Sequence, residues 1–212
     1  MKNHSGASIK SRIPAILCTL LLLTGCAKLI QPQLTEQMSD VSSGNYQLDN
    51  KHTALLFKVN HLGFSSFVGR FEEVSATLSY NPEQPELSSL RASANMASVN
   101  VNNETFENTL RNRFWLNTQK FPTAHYQTRS AKRTGANHLL FDGELTFLGV
   151  TKPLNLAVTI NGAGMNRING EYTLGVSATG TVIRSEHGLG LFTPAIGDDV
   201  TLEIHAEFIR NQ

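Results

Sequence analysis

Cysteine and an excess of charge of one sign are what this 212-residue sequence lacks. Its only two cysteines, Cys18 and Cys26, lie near the N-terminus, so the rest of the chain can form neither a disulfide nor a cysteine-based metal site. The sequence has 18 Lys and Arg against 17 Asp and Glu, a formal net charge of +1. This balance gives no reason to expect nucleic acid or an anionic surface as the partner of the whole chain.

Motifs of catalysis are lacking as well. The sequence has no G-x-S-x-G elbow, no glycine loop that would cradle a phosphate and no dinucleotide fingerprint. His205 alternates with Glu203 and Glu207 in the last predicted strand, which places it on the solvent face rather than in a zinc site. We therefore expect a protein that is not an enzyme and has no metal or resident cofactor. A hydrolase or metalloenzyme is the least favoured alternative.

Long hydrophobic runs are scarce. The longest, "PAILCTLLLLTG", is shorter than the roughly 20 residues that span a bilayer. It follows a basic start with Lys2, Lys10 and Arg12, so residues 1–25 are interpreted as a signal peptide. The run ends in "LLTGC", which resembles the bacterial lipobox, and this resemblance implies that Cys26 is acylated, with palmitate among the acyl groups, and becomes the mature N-terminus. A secretory signal with an incidental cysteine is the alternative.

The residue after the cysteine is Ala27 rather than an aspartate. By the same resemblance this implies the periplasmic face of the outer membrane of a Gram-negative bacterium. Loss of residues 1–25 removes three basic residues and changes the formal net charge from +1 to −2. Residues 26–45 are polar, show no sustained period and end in Ser-Ser-Gly-Asn, so they are interpreted as a lipidated, flexible tether. The folded domain is then expected to occupy residues 46–212.

From Tyr46 onward the apolar residues recur with a period of two, as in half-buried strands. Short connections rich in Gly and Asn, such as "KRTGAN" and "NGAGMNRING", favour sequential antiparallel pairing. An all-β sheet of eight such strands closes best as an elongated, lipocalin-like barrel, because closure removes edge strands. The predicted strands are the stretch that starts at Thr53, and then residues 74–80, 90–96, 123–132, 138–148, 154–163, 171–184 and 200–210.

The interior of an eight-stranded barrel can be filled by side chains or can hold one small ligand. Strands of roughly 11 to 15 residues exceed the usual five or six and, when tilted, give a barrel of about 30 Å in height. In the third strand the inward residues are Leu90, Ala92, Ala94 and Met96. Their small size leaves space that a self-filled core would normally occupy. A structural or protein-interaction module with a self-filled core remains the alternative.

One long interruption separates the third and fourth predicted strands. In "NNETFENTLRNRFWLNTQKFPT", Phe106, Leu110 and Phe114 recur at i, i+4 and i+8, which predicts an amphipathic helix that ends before Pro122. The same segment carries Trp115, the only tryptophan. We expect this helical insertion to lie across one end or flank of the barrel, where it either completes the core or forms a lid.

The opening strand supplies candidate ligand contacts. Leu55, Phe57 and Val59 share one face, and His61 has the same parity near the end of the strand. A lone histidine on an apolar face is either a satisfied core residue or, here, a hydrogen-bond partner for the polar head of a ligand.

Further candidates lie in the connections. Phe64 and Phe67 stand in the glycine-bounded stretch "LGFSSFVG", where they either reach the barrel mouth or pack against the turn. Arg184 ends the seventh strand and is expected to pair with Asp198 or Asp199, with a head-group role as the alternative. His187, in the connection that follows, is expected to be solvated.

Several stretches, in the same order and with the same spacing, resemble those of the YceI-like periplasmic proteins, which are described as polyisoprenoid-binding and lipocalin-like. The resemblance covers nearly all of residues 46–209. It implies a barrel whose lumen takes a long apolar chain, such as a polyisoprenoid or an isoprenoid quinone, and it does not imply catalysis. The oligomeric state stays open, with a homodimer among the options. The matching stretches are "YQLDNKHTALLFKVNHLGFSSFVGRFEEV", "SVNVNN", "KFPTAHYQT", "FDGELTFLGVTKPLNL", "RSEHGLG" and "IGDDVTLEIHAEF".

The sequence departs from the family in one place. Many members carry an Arg-Asp-x-His-Leu pattern where this chain reads Phe106-Glu-Asn-Thr-Leu110. If the missing basic and histidine side chains hold a head group in other members, this chain is expected to prefer a weakly polar head, such as a quinone or an amide, over a pyrophosphate.

Overall fold

The computed structural model describes residues 30–211. The predicted signal peptide and Cys26, the predicted acylation site, lie outside these residues. Within residues 30–211 no helix is both long and apolar enough to cross a membrane.

The described residues form ten strands and one α-helix. The helix α1 (Glu104–Arg111) lies between the fifth and sixth strands. The strands are β1 (Gly44–His61), β2 (Ser65–Phe71), β3 (Val74–Tyr80), β4 (Ser89–Asn95), β5 (Val99–Asn100), β6 (Thr123–Arg133), β7 (His138–Phe147), β8 (Val150–Met165), β9 (Tyr172–Ile183) and β10 (Ile196–Arg210).

The strands form one closed antiparallel sheet. β10 pairs with β1 and closes the wall. β2 and β3 follow one another along β1, because β2 pairs with its C-terminal half and β3 with its N-terminal end. β4 and β5 continue each other in the same way, against β3 and β2. Each of these two pairs takes the place of one strand, so the described wall has eight positions, which confirms the predicted eight-stranded barrel with a helical insertion after the third strand.

The opening stretch differs from the prediction of a single strand. It forms a hairpin of β1 and β2 that turns at Leu62, Gly63 and Phe64. The turn is closed by a hydrogen bond from the Phe64 N–H to the His61 carbonyl at 3.0 Å, and Gly63 adopts a positive φ of 75° that suits glycine.

Buried and more exposed residues alternate along the long strands. In β8, Leu154, Leu156, Val158 and Ile160 are buried, whereas the residues between them are exposed or half-buried. Alternation of this kind places one face against an interior and the other in water. The inward faces of all the strands therefore enclose a single interior.

The segment before β1 is packed against the end of the barrel where β1 begins. Met38 and Val41 are at most 1% exposed, and the hydroxyl of Tyr80 donates to the Met38 carbonyl at 2.8 Å. Thr35 and Ala163 exchange two backbone hydrogen bonds at 2.9 and 2.8 Å. The prediction of a flexible tether up to residue 45 is therefore wrong from Thr35 onward, because this stretch closes one end of the barrel.

Candidate functional site

The inward side chains are packed tightly at one end of the barrel and loosely at the other. At the end where β1 begins, Tyr46, Tyr80 and Phe208 are at most 4% exposed; we call this end the base. At the opposite end, inward residues such as Phe57 and Val200 are only half-buried; we call this end the mouth. An inward side chain keeps accessible surface only where empty space adjoins it, so the packing density falls from base to mouth.

The empty space is a cavity of about 520 Å³. Pockets that take small ligands usually measure about 300–1,000 Å³. The lining is almost entirely apolar and runs from Leu78 near the base to Phe67 and Trp115 at the mouth. Ala92 and Ala94 belong to it, in agreement with the expectation that small inward residues leave room. The barrel interior is hollow toward the mouth.

The part of β1 near the mouth forms one wall of the cavity. Leu55, Phe57 and Val59 all line it, and each faces an aliphatic residue of β10 across the strand pair. The ring of Phe57 lies over Gly69, where an added Cβ would overlap it. A second ring, that of Phe71, lies 5.5 Å from Phe57. Because Gly69 of β2 has no side chain, the ring of Phe57 on β1 can lie against it and form part of the cavity wall.

The helix α1 is fixed at the mouth by its polar side chains. The Asn103 carboxamide oxygen caps it by accepting the Phe106 N–H at 3.1 Å. At its C-terminal end, Arg111 donates to the carbonyls of Ala97 and Val99 at 2.7 and 3.0 Å. The cap satisfies one of the free N–H groups of the first turn, and the arginine joins the helix to β5. The helix therefore has a defined position on the barrel.

The apolar side of α1 and the segment after it cover part of the opening. Phe106 packs edge-on against Phe67 of β2, with ring centroids 5.7 Å apart. Leu110 is buried among the neighbouring apolar residues. Trp115 contacts Phe192 of the β9–β10 connection, with ring centroids 6.2 Å apart. Aromatic pairs from three separate segments thus surround the opening.

The chain matches the YceI-like domain family over residues 46–208. This chain belongs to the YceI-like family. A UPF0312 protein of Shewanella sp. strain W3-18-1 is 32% identical over 171 residues, which cover 80% of this chain and 89% of the relative.

Solved structures share the YceI-like fold. BcnA of Burkholderia cenocepacia has a TM-score of 0.69 and 18% identity, covering 76% of this chain and 98% of BcnA. A polyisoprenoid-binding domain from Saccharophagus degradans, implicated in plant cell wall breakdown, has a TM-score of 0.58 and 16% identity, covering 78% and 98%. At these identities the likeness concerns the fold.

Most of the predicted contact residues of this YceI-like domain line one cavity. Two do not, and both are exposed: Phe64 and Phe114. Phe64 lies at the tip of the β1–β2 turn. Phe114 was predicted to continue a helical stripe, but α1 ends at Arg111, so the i+8 position falls in a turn. The predicted residues in the lining are Leu55, Phe57, Val59, His61, Phe67, Met96, Phe106, Leu110, Trp115 and Arg184.

Two histidines differ from each other in their environment. His61 lines the mouth but is exposed, because a register shift follows Val59. His187 was expected to be solvated and is buried instead. Its Nδ1 lies 3.2 and 3.1 Å from the carbonyls of Phe147 and Val150, so a proton on Nδ1 donates to them. That contact ties the β9–β10 connection to the β7–β8 turn.

Arg184 organises the loop rather than the ligand. Its side chain is buried, and its five N–H groups donate to acceptors of the β9–β10 connection. An arginine has only five such donors, so the polar head-group role is not supported. The predicted ion pair of Arg184 with Asp198 or Asp199 is also absent among the described residues. Asp198 instead accepts hydrogen bonds from the backbone N–H of Ser185, at 2.9 Å, and from the Ser185 hydroxyl. The acceptors of Arg184 are the carbonyls of Leu189, Leu191, Ile196 and Gly197 and the Thr193 hydroxyl.

Sequence reasoning missed the cavity residues supplied by the last two strands and the loop between them. Val176 and Ala178 of β9, Leu202 and Ile204 of β10, and Leu189 of the loop all belong to the lining. The period-two pattern of β10 could have indicated its residues, since both share the parity of Val200. The contribution of Leu189 depends on the fold of the loop around Arg184, for which the sequence carries no local signal.

A cluster that resembles a metal site lies outside the barrel. One ligand atom each of Asp49, His52 and Glu207 falls within 4.8 Å of the others, at the register shift in β1. His52 Nδ1 is 2.8 Å from an Asp49 carboxylate oxygen. This hydrogen bond raises the pKa of His52 and lowers that of Asp49. Since the cluster is accounted for by its own hydrogen bonding, it is interpreted as a surface link across the bulge.

Proposed function

We propose that this chain is a lipid-anchored binding protein that holds one long apolar chain, such as a polyisoprenoid or an isoprenoid quinone, in the barrel cavity. The observation that carries the proposal is the 520 Å³ apolar cavity, closed at the base and open at the mouth. A structural module with a self-filled core is disfavoured by the same cavity. The name of the Saccharophagus domain is consistent with such a ligand for a protein of this fold.

The apolar lining favours long ligands over short ones. Each buried methylene-sized unit contributes about 0.8 kcal/mol, whereas association and ordering cost roughly 4–15 kcal/mol. Micromolar affinity requires a net free energy of about −8 kcal/mol, so the ligand must bury roughly 15 to 29 such units. A polyisoprenoid chain meets this requirement without any strong polar contact.

The polar head of the ligand is proposed to be weakly polar, as in a quinone or an amide. Among the described residues of the lining, Arg184 is the one Lys or Arg side chain, and its N–H groups are all bound to the loop. A pyrophosphate inside the cavity would therefore lack a compensating cation, which is costly in an apolar surrounding. The loss of basic residues at Phe106–Leu110 supports the same preference.

The ligand is tested by native mass spectrometry of mildly purified protein, followed by lipid extraction and identification. We expect a stoichiometric long-chain lipid. Repeated recovery of an empty, water-filled barrel would contradict the proposed function, and a prenyl pyrophosphate as the main species would contradict only the proposed head group.

The anchor is a separate part of the proposal. Acylation at Cys26 would hold the domain on the periplasmic face of the outer membrane. A Cys26→Ala variant should lose labelling by a palmitate analogue and should leave the outer-membrane fraction. Continued labelling of the variant would refute the lipoprotein assignment.

A further inference from the structure

Exposed apolar side chains surround the mouth. Leu62 and Phe64 stand in the β1–β2 turn, Phe114 in the segment after α1, and Leu191 and Phe192 in the β9–β10 connection. Phe64 is 87% exposed, Phe114 64% and Phe192 60%. We call these five residues the rim. Three loops that are distant in sequence thus present their most apolar side chains at one end of the barrel.

The rim is built on defined backbone rather than on loose loops. The Leu62 N–H donates to the Ala195 carbonyl at 2.8 Å, which joins two of the three loops, and the Ile196 N–H donates to the Phe192 carbonyl at 2.9 Å. Leu62 and Phe192 both have left-handed backbone conformations, with φ of 55° and 62°. Bulky residues seldom adopt this region, and such positions cluster at functional sites. The fold therefore maintains the outward presentation of these side chains.

The rim is continuous with the cavity. Phe192 belongs to both, since it lines the cavity and also contacts Trp115. Soluble monomers rarely gather exposed apolar residues in one place unless that place contacts a partner or a membrane. A ligand that leaves the cavity must pass this surface, so the partner at the rim has to accept a long apolar chain.

The charges beside the rim fit a phospholipid surface. The Arg113 guanidinium lies 4.7 Å from the centre of the Phe114 ring, and the Lys120 ammonium lies 5.1 Å from that of Phe121. Two of the three segments that form the rim, residues 60–71 and 112–122, contain no Asp or Glu. Aromatic and basic residues side by side are typical of segments that lie in the interface of a bilayer. The basic groups can meet lipid phosphates while the aromatic rings enter the headgroup region.

We propose that the rim docks onto the surface of a lipid bilayer, so that the apolar ligand passes between membrane and cavity without crossing water. The ligand in this statement rests on the proposed function, whereas the docking surface rests on the rim residues and their charges. A second copy of the chain or a protein partner at the rim are the competing occupants.

The test uses Trp115 as a native probe, because it is the only tryptophan and lies beside the rim. The mature chain from Cys26 onward is held on carrier vesicles of phosphatidylcholine. It is then mixed with acceptor vesicles of phosphatidylethanolamine and phosphatidylglycerol whose acyl chains are brominated. Bromine quenches tryptophan fluorescence only on close approach, so quenching reports contact of the rim with the acceptor bilayer. Protein without acylation enters the same assay free in solution.

Two double variants distinguish membrane binding by the rim from non-specific binding by exposed apolar residues elsewhere on the surface. The rim variant is Phe64→Ser with Phe114→Ser, neither of which lines the cavity. The matched control is Leu87→Ser with Ile168→Ser, which removes residues that are 63% and 77% exposed away from the mouth. We expect quenching in the wild type and in the control, and an affinity for acceptor vesicles at least about tenfold weaker in the rim variant.

Absence of quenching in the wild type, or equal quenching in the rim variant, would overturn the proposal. A doubled mass in sedimentation, lost in the rim variant and unaccompanied by quenching, would assign the rim to a second copy and also overturn it. Mass spectrometry of the same samples keeps the two proposals apart. Quenching by a protein that carries no lipid would contradict the proposed ligand alone, and a lipid-loaded protein that is not quenched would contradict docking alone.

Discussion

The same substitution at two inward leucines tests whether the cavity is empty. Leu202 on β10 lines the cavity and is half-buried, whereas Leu174 on β9 is 1% exposed within the packed core. Both side chains point into the barrel. We compare Leu202→Trp with Leu174→Trp, so that the change in the unfolded chain is the same for both variants.

The expected magnitudes differ because only one position has free space beside it. In the core around Leu174, overpacking costs typically about 1–3 kcal/mol of unfolding free energy. At Leu202 the indole enters the cavity, where added apolar burial at about 25 cal/mol per Å² is offset by the cost of ordering the side chain, roughly 0.5–1 kcal/mol. We therefore expect almost no loss of stability for Leu202→Trp and a clear loss for Leu174→Trp.

The assay is urea unfolding of delipidated protein. With a slope of about 2 kcal/mol per M, the Leu174→Trp midpoint should fall by roughly 0.5–1.5 M, and the Leu202→Trp midpoint should hardly move. Native mass spectrometry before delipidation should show less bound lipid in Leu202→Trp, because the indole occupies ligand space. An equal loss of stability at both positions would refute the reasoning, since it would mean that no hollow adjoins Leu202.

Three further predictions follow from the site. Replacement of Arg184 by Lys should lower the unfolding free energy by about 2–4 kcal/mol, because an ammonium offers three donors to the five acceptors of this loop. The same variant should show faster hydrogen exchange in the β9–β10 connection. Exchange as slow as in the wild type would contradict the role of Arg184 in holding the loop. Burial raises the pKa of Tyr80 and Tyr126 from 10.0 to about 12, so stability should be intact below pH 10 and fall as the pH rises toward 12; ultraviolet titration of the folded protein with all four tyrosines ionising near pH 10 would contradict this. In a series of n-alkyl alcohols, retention through gel filtration should begin only at about 15 carbons, and retention of octanol would show that a polar contact supplies the affinity.

The barrel was predictable because its signal is local and periodic. From Leu154 to Ile160 in β8 and from Val200 to Phe208 in β10 every second residue is apolar, as expected of a strand with one buried face. The wall residues Leu55, Phe57 and Val59 followed from the same period. Hollowness could be suspected from Ala92 and Ala94, since side-chain volume is written in the sequence.

The errors concern contacts between segments that carry no period. Met38 and Val41 are isolated apolar residues in a polar stretch, so their burial at the base depends on a barrel end that the sequence does not display. The buried state of His187 depends on carbonyls of the β7–β8 turn, about 40 residues away. Arg184 was expected to form an ion pair, yet most of its N–H groups donate to backbone carbonyls. Every residue has a carbonyl, so the sequence does not indicate which ones an arginine will bind. Charge pairing is visible in a sequence, whereas carbonyl geometry is not.

The packed N-terminal segment also bears on how an anchored barrel would be oriented. The backbone carbonyl of Gln33 and the side chain of Leu34 already lie against Gly164 at the base, so six residues, or seven Cα–Cα steps, separate Gln33 from Cys26. They reach at most about 25 Å. The 16 residues of β8, at about 3.3 Å each and tilted by some 40°, make the wall roughly 40 Å tall. Acylation at Cys26 would therefore keep the base near the anchoring bilayer.

A mouth-down orientation on that same bilayer would require the chain to span the full height of the wall, which exceeds its reach. The rim of an anchored protein is thus directed toward another membrane or another carrier of the ligand. If bromine is placed in the carrier vesicles instead of the acceptor vesicles, Trp115 should stay unquenched. Insertion of about 15 Gly and Ser residues after Ala27 would more than double the extended reach and should then permit quenching. Quenching by carrier lipids without the insertion would show that the barrel turns over on its anchor, and the direction of the mouth would then have to come from a partner rather than from the length of the chain.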